Sequence, residues 1–228
     1  RASLGVFLRR LGALALAADP PAKTSEGKIK VTKLADLPPR EYSVPDKPSA
    51  LIENKAAVLA LAREVEKDIK ADLEKYDIQD QTAVRRLYST LLDIAMLKGD
   101  YVAARGYVQK VRSMQEKPAQ KLTSGIVTES IINAQENPGR DFHGALRANL
   151  DQALRALPYQ EVQDVLKSTK GSAEIMSRNL VAGSVASSMD AAAAGGKLSQ
   201  DMATGVLCAA SVVQYFIPNK EDIAVVYS

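Results

Sequence analysis

The chain has 228 residues, and 30 Lys+Arg against 27 Asp+Glu give it a formal net charge of +3. With 46% hydrophobic and 25% charged residues it has the composition of a soluble globular protein, and the small basic surplus argues against a nucleic-acid partner held by counterion release. One His and one Cys exclude a Cys/His zinc site and a disulfide within the chain, and leave few groups for acid–base chemistry at neutral pH.

Residues 1–17 have the pattern of an export signal. Basic Arg1, Arg9 and Arg10 precede a short apolar run, and Ala15-Leu16-Ala17 has the small–x–small form of a cleavage site. This predicts an exported, periplasmic or extracellular protein. The alternative is an amphipathic N-terminal helix that binds a membrane surface. No other segment approaches the 18 apolar residues of a membrane span, so we expect none.

Residues 18–50 predict a Pro-rich linker or extended arm. Six of the ten prolines fall here, and each fixes φ and removes a backbone donor. Residues 28–33 alternate polar and apolar side chains, as in an edge strand. Because no partner strand is evident, a solvated linker is the preferred interpretation.

Beyond Ala50 the periodicity is helical. Apolar residues recur every three to four positions from Val58 to Tyr76 and again from Val84 to Ala95, with Gly99 as a C-terminal cap and Asp100 as the N-cap of a third helix. The remaining prolines mark boundaries of helices near 119–136, 141–157, 159–170, 172–194 and 199–216. The sequence therefore predicts an all-α fold after the arm.

The segment 91–118 carries a more specific pattern. Its Gly99-Asp100-Tyr101, Ala104, Tyr107 and Pro118 resemble the turn and second helix of a tetratricopeptide unit. A second echo begins at Asp141-Phe142, but its 41-residue offset departs from the family's 34-residue period. The resemblance implies antiparallel helical hairpins over residues 81–158, within a region 51–158, stacked as a degenerate solenoid. An irregular bundle without repeat ancestry is the alternative.

Residues 159–228 form a region rich in small residues, with alanine and glycine recurring through 182–210. Such faces favour close packing of two helices. The apolar pattern is still in progress at Val225 and Val226, so we expect the native polypeptide to continue past Ser228.

The familiar reactive motifs are absent or incomplete. Residues 195–199 look like part of a phosphate loop but lack its first Gly and its Ser/Thr, so a helix terminator is predicted. His143 follows Asp141 and could act as a base, although a helix cap explains the same pair. Cys208 lies in an apolar pattern typical of a buried, unreactive thiol. We predict no catalytic, cofactor-binding or metal-binding residue.

The order of segments along the chain also resembles that of a second family. The arm around residues 36–45 and the segment 178–184, behind an export-like start, are similar to the non-catalytic N-terminal helical part of exported bacterial subtilisin-like serine peptidases. The resemblance implies a pro-region or docking module whose catalytic motifs would lie beyond Ser228.

Together these patterns predict a non-catalytic helical interaction domain or pro-domain that binds a peptide, a protein partner or its own downstream domain. The alternatives are the N-terminal part of a secreted serine peptidase and an unrecognised enzyme that uses His143. A groove over residues 81–157 would supply the contacts, although its tyrosines are also suited to filling the interior of the hairpins. The candidate contact residues are Arg85, Arg86, Tyr88, Tyr101, Arg105 and Tyr107.

Overall fold

The computed structural model describes residues 24, 27–44, 47–117, 121, 124–137, 142–155, 157–158, 161, 163 and 196–216. The predicted export signal, the helices predicted near 159–170 and 172–194, and the pattern after Asn219 lie outside these residues, apart from Glu161 and Gln163.

The described residues are mostly helical, at 72%, which confirms the predicted all-α fold class. Helices are found within the predicted ranges 119–136, 141–157 and 199–216. The helices are α1 Pro48–Glu53, α2 Lys55–Lys75, α3 Gln81–Lys98, α4 Tyr101–Ser113, α5 Ile126–Glu136, α6 Phe142–Arg155 and α7 Gln200–Phe216.

The longest described helix, α2, begins and ends where local chemistry dictates. The Asn54 side chain accepts a hydrogen bond from the Ala57 backbone N–H at 3.2 Å, which satisfies one of the free donors of the first turn. Val58, Val65 and Ile69 are fully buried at helical spacing. At Tyr76 the backbone becomes extended and the helix ends.

Two small sheets tie the arm to the helices. Strand β1, Ile29–Val31, pairs in parallel with β3, Tyr76–Ile78, and β2, Glu41–Ser43, pairs antiparallel with β4, Lys197–Ser199. The interpretation of residues 28–33 as a solvated linker is therefore wrong. The partner strand follows α2 directly, and Tyr76 continued the apolar spacing of that helix, which concealed the change to extended backbone.

The main core brings together elements that are distant in sequence. Helix α7 packs against α1, α2 and α3, and its Ala203, Val206, Leu207 and Ala210 are fully buried. Leu37, Tyr42 and Val44 of the arm join the same core. A hydrophobic core thus closes around the N-terminal arm and a helix more than 150 residues later, so the first and last described segments stabilise each other.

A second, smaller cluster lies on the other side of α3. Ala95, Met96, Ala104, Ile131 and Ile132 connect α3, α4 and α5. Helix α5 packs in turn along α6. The helices from α3 to α6 therefore pack pairwise in chain order, in contrast to the main core.

Candidate functional site

The predicted contact residues lie on the pair formed by α3 and α4, whose ends are held by caps. Asp80 accepts hydrogen bonds from Thr82 N at 2.9 Å and Ala83 N at 3.1 Å, and Asp100 accepts one from Ala103 N at 3.0 Å. Gly99 between the helices has φ of +70°, a conformation that favours glycine. The predicted caps at Gly99 and Asp100 are confirmed.

The three tyrosines of the predicted set are half-buried between helices. The rings of Tyr88 and Tyr107 lie 6.3 Å apart at 40°, within the range of favourable aromatic pairs, and both pack against the main core. Tyr101 packs against the smaller cluster. Their positions match the alternative interpretation, in which the tyrosines fill the interior of the helix pair.

The three arginines of the set have different surroundings. Arg85 Nη1 donates to Gln115 Oε1 at 3.2 Å, which links the start of α3 to the end of α4. Arg105 Nη2 donates to Asn133 Oδ1 at 2.8 Å and contacts Glu136 Oε2 at 2.7 Å. Arg86 is exposed. The six candidates are spread along the helix pair, with Arg85 at its open end and Tyr101 beside the turn, and they do not converge on one point.

The contact between α4 and α5 was missed by the sequence analysis. Both Nη atoms of Arg112 bind the Glu129 carboxylate at 2.7 and 2.8 Å, and its Nε donates to Ser124 O at 2.6 Å. Such a bidentate pair fixes direction as well as distance. No local spacing rule predicts a pair 17 residues apart on separate helices, so the sequence offered no signal for it.

Gly125 allows these two helices to approach. It precedes α5 with φ of +82°, and a Cβ atom there would overlap Cγ1 of Val108. Glycine is therefore required both by the backbone conformation and by the space available.

A polar cluster, here called the latch, joins the arm to α2. Arg40 Nη2 binds Asp72 Oδ1 at 2.6 Å and its Nη1 lies 3.3 Å from Asp68 Oδ1, while the Tyr42 hydroxyl donates to Asp68 Oδ2 at 3.1 Å. Burial, together with the Asp68 carboxylate, raises the pKa of Tyr42 to about 12. The phenol therefore stays protonated and remains a donor over the physiological range.

A second polar contact joins α3 to α7. The thiol of Cys208 hydrogen-bonds the carboxyl group of Asp93. Burial raises the pKa of Asp93 to about 7, although this hydrogen bond acts in the opposite direction. Burial and the neighbouring carboxylate raise the pKa of Cys208 to about 12, so the thiol is held in its less nucleophilic, protonated form.

The remaining sequence candidates can be placed only in part. The backbone of His143 lies in the first turn of α6, whereas Asp141 lies outside the described residues. A helix terminator was predicted over 195–199, but Lys197–Ser199 is strand β4, and Gly196 before it has φ of +72°. Over the described ranges, no three His, Cys, Asp or Glu side chains are grouped as metal ligands. Among the described helices, none combines the length and apolarity of a membrane crossing.

Comparison of the chain with protein families, with curated proteins and with solved structures finds no match.

Proposed function

We propose that this chain is a non-catalytic helical interaction domain, of the pro-domain type, that binds a peptide or protein partner or a downstream domain of its own polypeptide. In this proposal α3 with α4 and α5 with α6 are tetratricopeptide-like hairpins that stack as a degenerate array. A serial array suits binding, because each helix pair needs only its neighbours for packing and leaves a continuous surface for a partner.

The observation that carries the proposal is the exposed face of α4. This helix contacts α3 on one side and α5 on another, which buries Ala104 and Val108. Val102 is 83% exposed, and Gly106, Gln109 and Ser113 follow it at helical spacing, all exposed. In the proposal, Val102 and the exposed positions beside it form the surface that a partner contacts.

The predicted contact residues take three roles in this proposal. In the proposal, exposed Arg86 on α3 and Arg105 on α4 supply positive charge to a partner, with part of the Arg105 guanidinium engaged by α5. Tyr88 and Tyr107 set the distance between α3 and α4 and act on the surface only through that packing. Arg85 and Tyr101 secure the two ends of the helix pair.

Site-specific photocrosslinking in the native host tests the proposal. A photoreactive phenylalanine analogue replaces Val102 in the full polypeptide, and a matched chain carries the analogue at exposed Ala71 on α2. We expect position 102, and not position 71, to give a discrete crosslinked product, whose partner peptide is then sequenced by mass spectrometry. Crosslinking that is absent from both positions, or equal at both, contradicts the proposal.

Export is part of the same proposal, and it rests on the pattern of residues 1–17. Signal cleavage after Ala17 would leave Ala18 as the first residue of the mature chain. N-terminal sequencing of the protein from periplasmic and cytoplasmic fractions measures this directly. An uncleaved chain confined to the cytoplasmic fraction would contradict export.

A further inference from the structure

The arm is attached to α2 by a small number of polar contacts, and to β3 and β4 by its two short strands. Strands β1 and β2 have three residues each. Besides the latch, the Lys28 ammonium donates to the Leu73 carbonyl at 3.2 Å. The apolar contribution of the arm is concentrated in Leu37, Tyr42 and Val44. This is a modest attachment compared with α2, α3 and the described part of α7, each of which buries several aliphatic side chains.

The latch at the centre of this attachment is incompletely satisfied. The Asp72 side chain is only 2% exposed, yet its Oδ2 has no hydrogen-bond partner within the described part of the chain. Arg40 Nη1 is likewise buried without one, because its 3.3 Å approach to Asp68 is an ion contact that lacks hydrogen-bond alignment. A buried polar atom without a partner is unfavourable relative to its hydrated state.

The surroundings of Asp72 also make its ionised carboxylate unfavourable in the closed structure. Burial raises the pKa of Asp72 above its ordinary value, and the neighbouring Arg40 offsets this only in part, with Asp68 adding a like charge and Lys75 an opposite one. The ionised carboxylate is therefore less well accommodated in the closed structure than in water. The closed arm accordingly retains an electrostatic cost that opening would relieve.

We propose that residues 28–44 form a strap that opens from α2 as one unit while the helices remain packed. Proteins open locally in cooperative segments whose free energies depend on the contacts that each segment breaks. Opening of the strap breaks the latch and two short strand pairings, β1 with β3 and β2 with β4. The helical core would have to expose fully buried Val65, Ile69 and Leu207. The open state presents Asp68 and Asp72 to solvent, together with the part of the main core that the strap covers.

Amide hydrogen exchange of the full chain measures this opening directly. We expect the wild-type amides of β1 and β2 to exchange through a lower-energy opening than amides in the middle of α2 and α3. Arg40→Gln leaves Asp72 buried without its charged partner, which strongly favours opening. We expect strap exchange in this variant to accelerate at least about tenfold, which corresponds to about 1.4 kcal/mol, while the helix amides change less than about twofold.

Two further variants make the result specific. Tyr42→Phe removes only the hydroxyl that donates to Asp68 and should accelerate strap exchange by a smaller factor than Arg40→Gln. Arg105→Gln breaks a guanidinium–carboxylate pair at the α4–α5 contact and should leave strap exchange unchanged.

The wild-type measurement alone is decisive if Arg40→Gln does not fold. Strap and helix amides that share one opening free energy would show that the arm unfolds only with the whole protein, which overturns the proposal. In a folded Arg40→Gln variant, unchanged strap exchange, or equal acceleration of strap and helices, would overturn it as well.

Discussion

The main core and the α4–α5 contact are held together in different ways. The main core joins the arm, α1, α2, α3 and α7 through buried hydrophobic side chains, most of them aliphatic. The α4–α5 contact combines a small apolar cluster with arginine–carboxylate pairs and a glycine that permits close approach. Aliphatic burial is nondirectional, whereas bidentate pairs fix orientation. We infer that the first region supplies most of the stability and that the second sets the geometry of the proposed binding surface.

Removing a large side chain from the main core is expected to lower the free energy of unfolding far more than truncating an exposed side chain of α4. Leu207→Ala on α7 deletes fully buried methyl groups and should lower the free energy of unfolding by about 2–5 kcal/mol. Val102→Ala truncates an exposed side chain on α4 and should change it by less than about 0.5 kcal/mol. Urea unfolding measures both variants, and similar losses in the two would contradict a stability concentrated in the main core.

A methyl group at Gly125 tests whether the α4–α5 contact depends on close approach. Gly125→Ala should cost about 1–2 kcal/mol for its positive φ and about 1–3 kcal/mol for overlap with Val108. Gly106→Ala is the matched control, because a Cβ there meets open space and alanine favours helix, so a small gain is expected. Thermal unfolding compares them, and equal effects would show that Gly125 is not spatially restricted.

Breaking the bidentate pair tests the polar part of the same contact. Arg112→Gln removes charge-assisted hydrogen bonds to Glu129 and Ser124 and should cost about 1.5–3 kcal/mol. The loss should come with altered amide chemical shifts in α5 rather than in α7. Arg63→Gln, at an exposed position on α2, should have little effect. Shift changes centred on α7 would contradict a contact that is local to α4 and α5.

The stability of the main core is also expected to depend on pH. Since the pKa of Asp93 is about 7 when folded and about 3.9 when unfolded, the folded chain binds more protons between these values. The contribution of Asp93 to the free energy of unfolding therefore decreases as pH rises from about 4 to about 7 and levels off above. Asp93→Asn should remove this slope, and Asp151→Asn, at an exposed position, should retain it. Denaturant titrations from pH 4 to 8 measure the slope, and an unchanged slope in Asp93→Asn would contradict this assignment.

The amino-acid sequence by itself determined the features that depend on neighbours along the chain. Helical periodicity from Val58 onward, the left-handed Gly99 and the cap at Asp100 follow from rules that operate within one or two turns. The predicted contact residues were likewise placed on the correct helices. Their spread along α3 and α4 depends on side-chain packing that these rules do not contain.

Only the tertiary structure decided which distant segments meet. The pairing of β1 with β3 and of β2 with β4, the latch at Arg40, and the insertion of α7 into the main core all join residues without a common local pattern. A three-residue strand or a buried Arg–Asp pair is stable only where the fold supplies its partner and excludes water. For that reason the Pro-rich arm, which is extended by its own local chemistry, becomes part of the core only when the helices are assembled around it.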